Sequence, residues 1–259
     1  MKNILKISYS IIFLLVGTLT VNAAEKVDLL KTDWSFKGLF GKFDRGSLQR
    51  GYQVYTEVCA SCHSMKYVSY RNLFEPGGPE FTEGQAKAIA ASFEVTDGPN
   101  NDGEMFVRPA KLSDKFVMPF ENVKAAQAAN GGAYPPDMSV LAKARTGGVD
   151  YIYSLLLGYE DPPSGVTLDD GVYYNKFMYG NNIKMAEPLS DGLVEYSDGT
   201  TASKEQMAKD VTTFLMWAAE PHLESRHKMG FKAILYLIIL TILVYFSMKK
   251  IWSRIESEV

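Results

Sequence analysis

The only two cysteines of this chain stand three residues apart, in Cys59-Ala60-Ser61-Cys62-His63, and a histidine follows the second directly. This is the attachment pattern of a c-type haem. On one helical turn, two thiols at this spacing reach the two vinyl groups of a single porphyrin, and the next imidazole points at the iron. A zinc site would need further ligands, and there is no third cysteine. A thioredoxin-like redox pair has no need of His63. The motif predicts one covalent haem c, held by Cys59 and Cys62 and ligated by His63. With both thiols used, no structural disulfide remains.

The flanking sequence predicts how the motif is presented. Leu48, Tyr52, Tyr55 and Cys59 follow one another at helical spacing and lead into the cysteines. Gly51 lies inside that helix, where glycine costs about 1 kcal/mol relative to alanine, so its use is the close approach of a second helix. The best partner is 204–219, with Ser203 and Gln206 as a capping box, an apolar stripe of Met207, Val211, Phe214, Leu215 and Ala218, and Pro221 as the stop. Residues 75–79 and 97–103 carry turn chemistry. Pro135-Pro136-Asp137 should start a helix running through Ala144, and Asp150 should cap another that ends at Gly158. Residues 159–202 show little periodicity, and no internal repeat is evident. The expectation is one domain of about 200 residues, mainly α, with long loop insertions.

Both ends are apolar. Lys2 and Lys6 precede the apolar run 11–16, and Val21-Asn22-Ala23 offers small residues before Ala24, which reads as a signal peptide over residues 1–23. Residues 233–248 hold no charge and Lys249 and Lys250 follow, so 230–248 reads as one C-terminal transmembrane helix. Residues 24–229 then form an exported domain on the periplasmic side, and 249–259 a cytoplasmic tail. Residues 24–227 contain 20 Lys and Arg against 28 Asp and Glu, a balance of −8. Such a surface argues against nucleic acid and for a basic partner. The acids gather between Lys87 and Arg108 (Glu94, Asp97, Asp102, Glu104) and between Arg145 and Lys176 (Asp150, Glu160, Asp161, Asp169, Asp170).

A sixth iron ligand is less legible. His222 and His227 directly precede the anchor and read as a polar membrane-surface segment. Met65 is too near His63 to reach the opposite face, and Met207, Met216, Met229 and Met248 belong to the terminal helices. Met105, Met118, Met138, Met178 and Met185 remain open. Met185 is attractive because 181–188 is a polar loop closed by Pro188, and a thioether ligand raises the reduction potential.

Longer stretches resemble the cytochrome c1 family, the haem subunits of quinol–cytochrome c reductase (the bc1 complex). They include 50–55 before the motif (Arg-Gly-Tyr-Gln-Val-Tyr) and 64–71 after it (Ser-Met-Lys-Tyr-Val-Ser-Tyr-Arg). Others are 97–100 with 102–106, Ala129-Asn130-Gly131, Pro135-Pro136-Asp137, Ala144-Arg145 with Gly147-Gly148, Met185-Ala186 with Pro188, 208–211, and 214–221 leading into the anchor. The resemblance implies a mono-haem cytochrome c-like fold with Met185 as sixth ligand, Arg145 near a haem propionate and Pro136 packed by the ring. It implies electron transfer from a Rieske iron–sulfur protein to a c-type cytochrome, beside cytochrome b, in a dimeric complex. The signal points to a bacterial inner membrane. Two other functions compete: a haem sensor or peroxidase, which would need an open iron that binds carbon monoxide, and an anchored carrier serving an oxidase, which would not co-purify with cytochrome b.

Overall fold

The computed structural model describes residues 27–256, so the expected signal peptide lies outside the described residues. The chain is mainly helical. Helix α1 (Arg45–Val54) opens on Asp44, whose carboxylate accepts from the Ser47 N–H. It widens into a π-helical turn (Tyr55–Cys59) that carries the first cysteine. Helix α2 (Glu83–Ala91) starts with a full capping box between Thr82 and Gln85. An antiparallel hairpin follows, β1 (Glu94–Asp97) against β2 (Phe106–Pro109), with Glu94 opposite Pro109 and Asp97 opposite Phe106. Then come α3 (Val123–Ala129), the single turn α4 (Leu141–Ala144), α5 (Gly148–Leu157), a two-residue ladder of β3 (Tyr173–Tyr174) with β4 (Asn182–Ile183), and α6 (Lys204–Ala219). The last element is α7 (Leu223–Glu256).

The core is the crossing of α1 and α6. A Cβ on Gly51 would stand 2.2 Å from the Asp210 carbonyl oxygen and 2.8 Å from the Phe214 Cβ, so only glycine allows the two backbones to meet there. The stripe Met207, Val211, Phe214, Leu215 and Ala218 is buried as its spacing predicts. Tyr52 and Tyr55 each pack on both Phe116 and Phe214, and Phe214 packs on Trp217 at 5.3 Å. Beside Gly51, the Asp210 carboxylate is fully buried and satisfied: it accepts from Arg50 Nε (2.8 Å) and Nη2 (3.1 Å), from Gln206 Nε2 (3.0 Å) and from Ser47 Oγ. A buried carboxylate is tolerated only with such a shell. Helices α4 and α5 also pack on α6.

Three local expectations are corrected by these contacts. The Ser203 capping box is half made: Ser203 Oγ accepts from the Gln206 N–H, but the Gln206 side chain turns to Asp210. Helix α5 is entered through Gly147, at φ +87°, and not through Asp150. Asp150 lies in the first turn, where its carboxylate accepts from Trp34 Nε1 (2.5 Å) and Lys37 Nζ (3.1 Å). The helix expected from Pro135 shrinks to Leu141–Ala144, because residues 136–139 spend their polar groups on the haem-motif segment.

Helix α7 extends the expected span in both directions. Residues Leu223–Arg254 are long and apolar enough to cross a membrane. Its foot is docked: Leu223 and Glu224 are buried, and Glu224 accepts from the Phe43 N–H (3.0 Å) and from Arg45 through both guanidinium ends (2.8 and 3.0 Å).

Candidate cofactor site

The cysteine motif rides on the last turn of the α1 unit. The Ala60 N–H donates to the Tyr55 carbonyl (2.7 Å), and the Cys62 and His63 N–H groups both donate to the Cys59 carbonyl (3.1 and 2.9 Å). Both thiols therefore leave one compact turn. They are free and half-buried. Burial, helped by the neighbouring Cys62, pushes the Cys59 thiol up to about 12.

His63 is buried, and its Nδ1 lies 2.8 Å from the Pro136 carbonyl oxygen. A carbonyl only accepts, so Nδ1 carries the proton and Nε2 is left with its lone pair. Burial moves the imidazole pKa downward, against the Pro136 carbonyl and the Asp137 carboxylate, which favours the neutral, ligating form. Tyr55 Oη holds the other end of the residue by donating to the His63 carbonyl (3.2 Å).

The Pro136 carbonyl is itself positioned by residues on both sides of the contact. Ser64 Oγ (2.8 Å) and the Lys66 N–H (3.1 Å) donate to Asp137 Oδ2, while the Ser139 N–H donates to Oδ1 (3.0 Å). The Met138 N–H donates to the Ser64 carbonyl (2.8 Å), and the Tyr67 N–H to Ser139 Oγ (3.0 Å). Desolvation alone would raise the Asp137 carboxyl, but hydrogen bonds from Ser139, Lys66 and Ser64 outweigh it and hold it below the ordinary carboxylate range. This clamp is what displaced the predicted helix. Nothing in the periodicity singles out Asp137, Ser139 and Ser64, although an Asp two residues before a Ser after paired prolines is an Asx-turn signal.

The structure thus brings together Cys59, Cys62, His63 and Pro136. Met185 is half-buried on its own loop, its carbonyl accepting from Tyr159 Oη at 3.0 Å. Lys184 Nζ ties that loop to the Gly131 carbonyl (2.9 Å), a few residues before Pro136. Arg145 is exposed at the end of α4. Among the described residues its guanidinium pairs with no carboxylate, and it donates one long hydrogen bond, to the Ala144 carbonyl (3.4 Å).

Two thiols on one turn and a buried imidazole with its Nε2 set free fit a c-type haem. Fold and site define a class: mainly helical proteins that present a Cys-X-X-Cys-His turn from a buried helix crossing and end in a long apolar helix. The cytochrome C1 family model matches residues 34–255, and the chain belongs to that family. It is 50% identical over 239 residues to cytochrome b/c1 of Bradyrhizobium diazoefficiens, covering 85% of this chain and 35% of that longer protein. It is 47% identical to the mitochondrial cytochrome c1-2 heme protein of Solanum tuberosum, over 94% of each chain. Cytochrome c1 of Rhodospirillum rubrum is 46% identical, over 89% of each.

Proposed function

We propose that this chain is the haem-bearing electron-transfer subunit of a quinol–cytochrome c reductase, anchored by α7 beside cytochrome b with its folded body in the periplasm. One observation carries the reading: the motif histidine is buried, oriented through Nδ1 by the Pro136 carbonyl and left with a free Nε2. Haem c, when bound, supplies a one-electron iron couple, and the protein supplies placement and electrostatics. Cys59 and Cys62 would hold the ring covalently. His63 Nε2 and the Met185 thioether would hold its iron, a pairing that raises the potential. Arg145, exposed and without a carboxylate among the described residues, is free to meet a propionate bidentately. Pro136 contributes its carbonyl and, in our reading, its ring beside the haem.

The donor we infer is a Rieske iron–sulfur protein, and the acceptor a basic c-type cytochrome, within a dimeric complex. The name of the Bradyrhizobium relative, cytochrome b/c1, supports a partnership with cytochrome b. Acidic loops support a basic acceptor, although fewer acids are available than composition suggested. Asp97 is paired with Arg108, Asp150 with Lys37 and Glu160 with Lys176. Exposed Glu94, Asp102 and Glu104 remain on the hairpin side. The test is purification of the tagged chain from native membranes. Cytochrome b and a Rieske protein should accompany it, and added quinol should reduce its haem and then a basic cytochrome c. A haem-loaded chain that arrives alone, or with an oxidase, would refute the assignment.

A further inference from the structure

Residues 35–43 form a small loop with buried feet and an exposed apolar tip. At its base, Phe36 and Phe43 are both buried and pack 5.2 Å apart, and the Lys42 N–H donates to the Ser35 carbonyl (3.0 Å). The loop turns through Gly38, at φ +86°, and the Gly41 N–H donates to the Gly38 carbonyl (3.3 Å). A Cβ on Gly41 would stand 2.3 Å from the Phe36 carbonyl oxygen, so the turn is closed as tightly as a backbone permits. The two residues between the glycines point away: Leu39 is 59% exposed and Phe40 74%.

The tip does not stand alone. The Phe40 ring lies 6.0 Å from the Phe231 ring, on the side of α7. Phe231 lies two positions before the charge-free run that begins at Ala233. The foot of α7 is fixed to the same loop, since Glu224 accepts from the Phe43 N–H. The helix rises by about 10 Å between Glu224 and Phe231. Leu39 and Phe40 therefore sit level with the start of the apolar span, and their surface continues into the exposed Phe231 and Ile234. Lys42, next to Phe43 on the loop, and Lys228 and Lys232, on either side of Phe231 along α7, are exposed, while Lys37 is turned to Asp150.

We infer that Leu39 and Phe40 are a second membrane contact, inserted at the boundary between headgroups and acyl chains of the bilayer that α7 crosses. The inference rests on the reading of α7 as a membrane span. Lipid fits better than a protein partner on two grounds. An apolar tip with exposed lysines close by along the loop and α7 suits an interface, where the apolar side chains enter the acyl boundary and the amines reach anionic phosphates. The tip is also continuous with a helix face whose environment would be lipid. Its consequence is orientation: a body joined to the bilayer by one helix can turn about it, whereas a second contact sets which face looks along the membrane.

The full-length, haem-loaded chain is reconstituted in vesicles of phosphatidylethanolamine and phosphatidylglycerol containing a phospholipid with a photoreactive group near the headgroup end of its acyl chain. After illumination, labelled peptides are mapped by mass spectrometry. The expected result is label on the peptide containing Leu39 and Phe40 as well as on α7, in vesicles and in native membranes of the assembled complex. A Leu39→Gln/Phe40→Gln variant should lose the loop label and keep the α7 label and the haem spectrum. Label on α7 with none on the native loop would overturn the inference and leave the anchor intact. Label on neither would remove both. A loop labelled in vesicles but shielded in native membranes would mean that another subunit covers it, which also overturns the lipid contact. Retention of loop label in the double variant would show that labelling does not come through the tip, and the lipid contact would fall with it.

Discussion

Replacing Gly51 by alanine adds one methyl group at the point where α1 meets α6. The new carbon would stand 2.2 Å from the Asp210 carbonyl oxygen, 2.7 Å from its carbon and 2.8 Å from the Phe214 Cβ. None of these atoms can rotate away, because two are backbone and the third is fixed to it. To restore 3.4 Å, the helices must separate by about 1.2 Å at the crossing. Over-packing of a core costs about 1–3 kcal/mol, and immovable neighbours put this case at or above the upper end. Alanine returns about 1 kcal/mol through helix propensity, leaving a net loss of about 2 kcal/mol. At roughly 2–4 °C per kcal/mol for a domain of this size, the melting midpoint should fall by about 4–8 °C. Gly84 provides the control: it lies in the first turn of α2, and an added Cβ would meet nothing within 4 Å. Gly84→Ala should leave the midpoint unchanged or raise it slightly. The assay is thermal unfolding of the haem-loaded full chain in detergent, followed by far-ultraviolet circular dichroism at one scan rate. A Gly51→Ala midpoint equal to or above that of the unsubstituted protein would refute the packing argument.

Four further outcomes are expected. Met185→Leu should lower the haem potential and let carbon monoxide bind the reduced protein, while Met138→Leu should do neither; redox titration and carbon monoxide difference spectra would show the reverse if Met138 is the ligand. Arg145→Lys should lower the haem potential or weaken haem retention, since one amine cannot replace a bidentate guanidinium; an unaltered protein would make Arg145 a solvated helix-end cation. Because the Asp137 carboxyl is held below its ordinary value, near 3.9 when unfolded, its stabilising effect is complete above that pH and is lost as pH falls through the folded value. Acid titration of the melting midpoint should therefore be shallower in Asp137→Asn, which should also cost about 1–3 kcal/mol for the misplaced donors at Lys66 and Ser64. The second-order rate with a basic cytochrome c should fall as salt rises, attraction being screened within about 8 Å at physiological ionic strength. Neutralising Glu94, Asp102 and Glu104 together should flatten that dependence in stopped-flow measurements, and an unchanged slope would move docking to Asp161, Asp169 and Asp170.

The sequence was most informative where one local pattern decides the outcome. Cysteine spacing placed the motif on a turn, and a glycine at helical spacing foretold a helix crossing that the backbone distances bear out. The apolar stripe of α6 named its own buried face. Local patterns mislead where tertiary bonds compete with them. Paired prolines followed by aspartate look like a helix start, but Asp137 satisfies the Lys66 and Ser139 N–H groups, and Pro136 turns its carbonyl to His63. No periodicity announces a bond between residues 73 positions apart. Asp150 failed as a cap for the same reason, since Trp34 and Lys37, more than a hundred residues away, claim its carboxylate. Charge order along the chain likewise hid which acids have a partner, because ion pairs such as Arg108 with Asp97 join residues on opposite strands of a hairpin.

Only Glu220, Pro221 and His222 lie between the end of α6 and the start of α7, whose foot is bolted to α1 through Glu224 and Arg45. No slack segment separates the folded body from the shaft that carries it. A shaft of 34 residues is about 50 Å long, and it behaves as a mast, so the height of the motif turn above its lower end is a constant of the molecule. Whatever turning the helix allows, the body has no hinge of its own on that mast about which to swing. In the relay proposed above, movement would then fall to the donor and the acceptor.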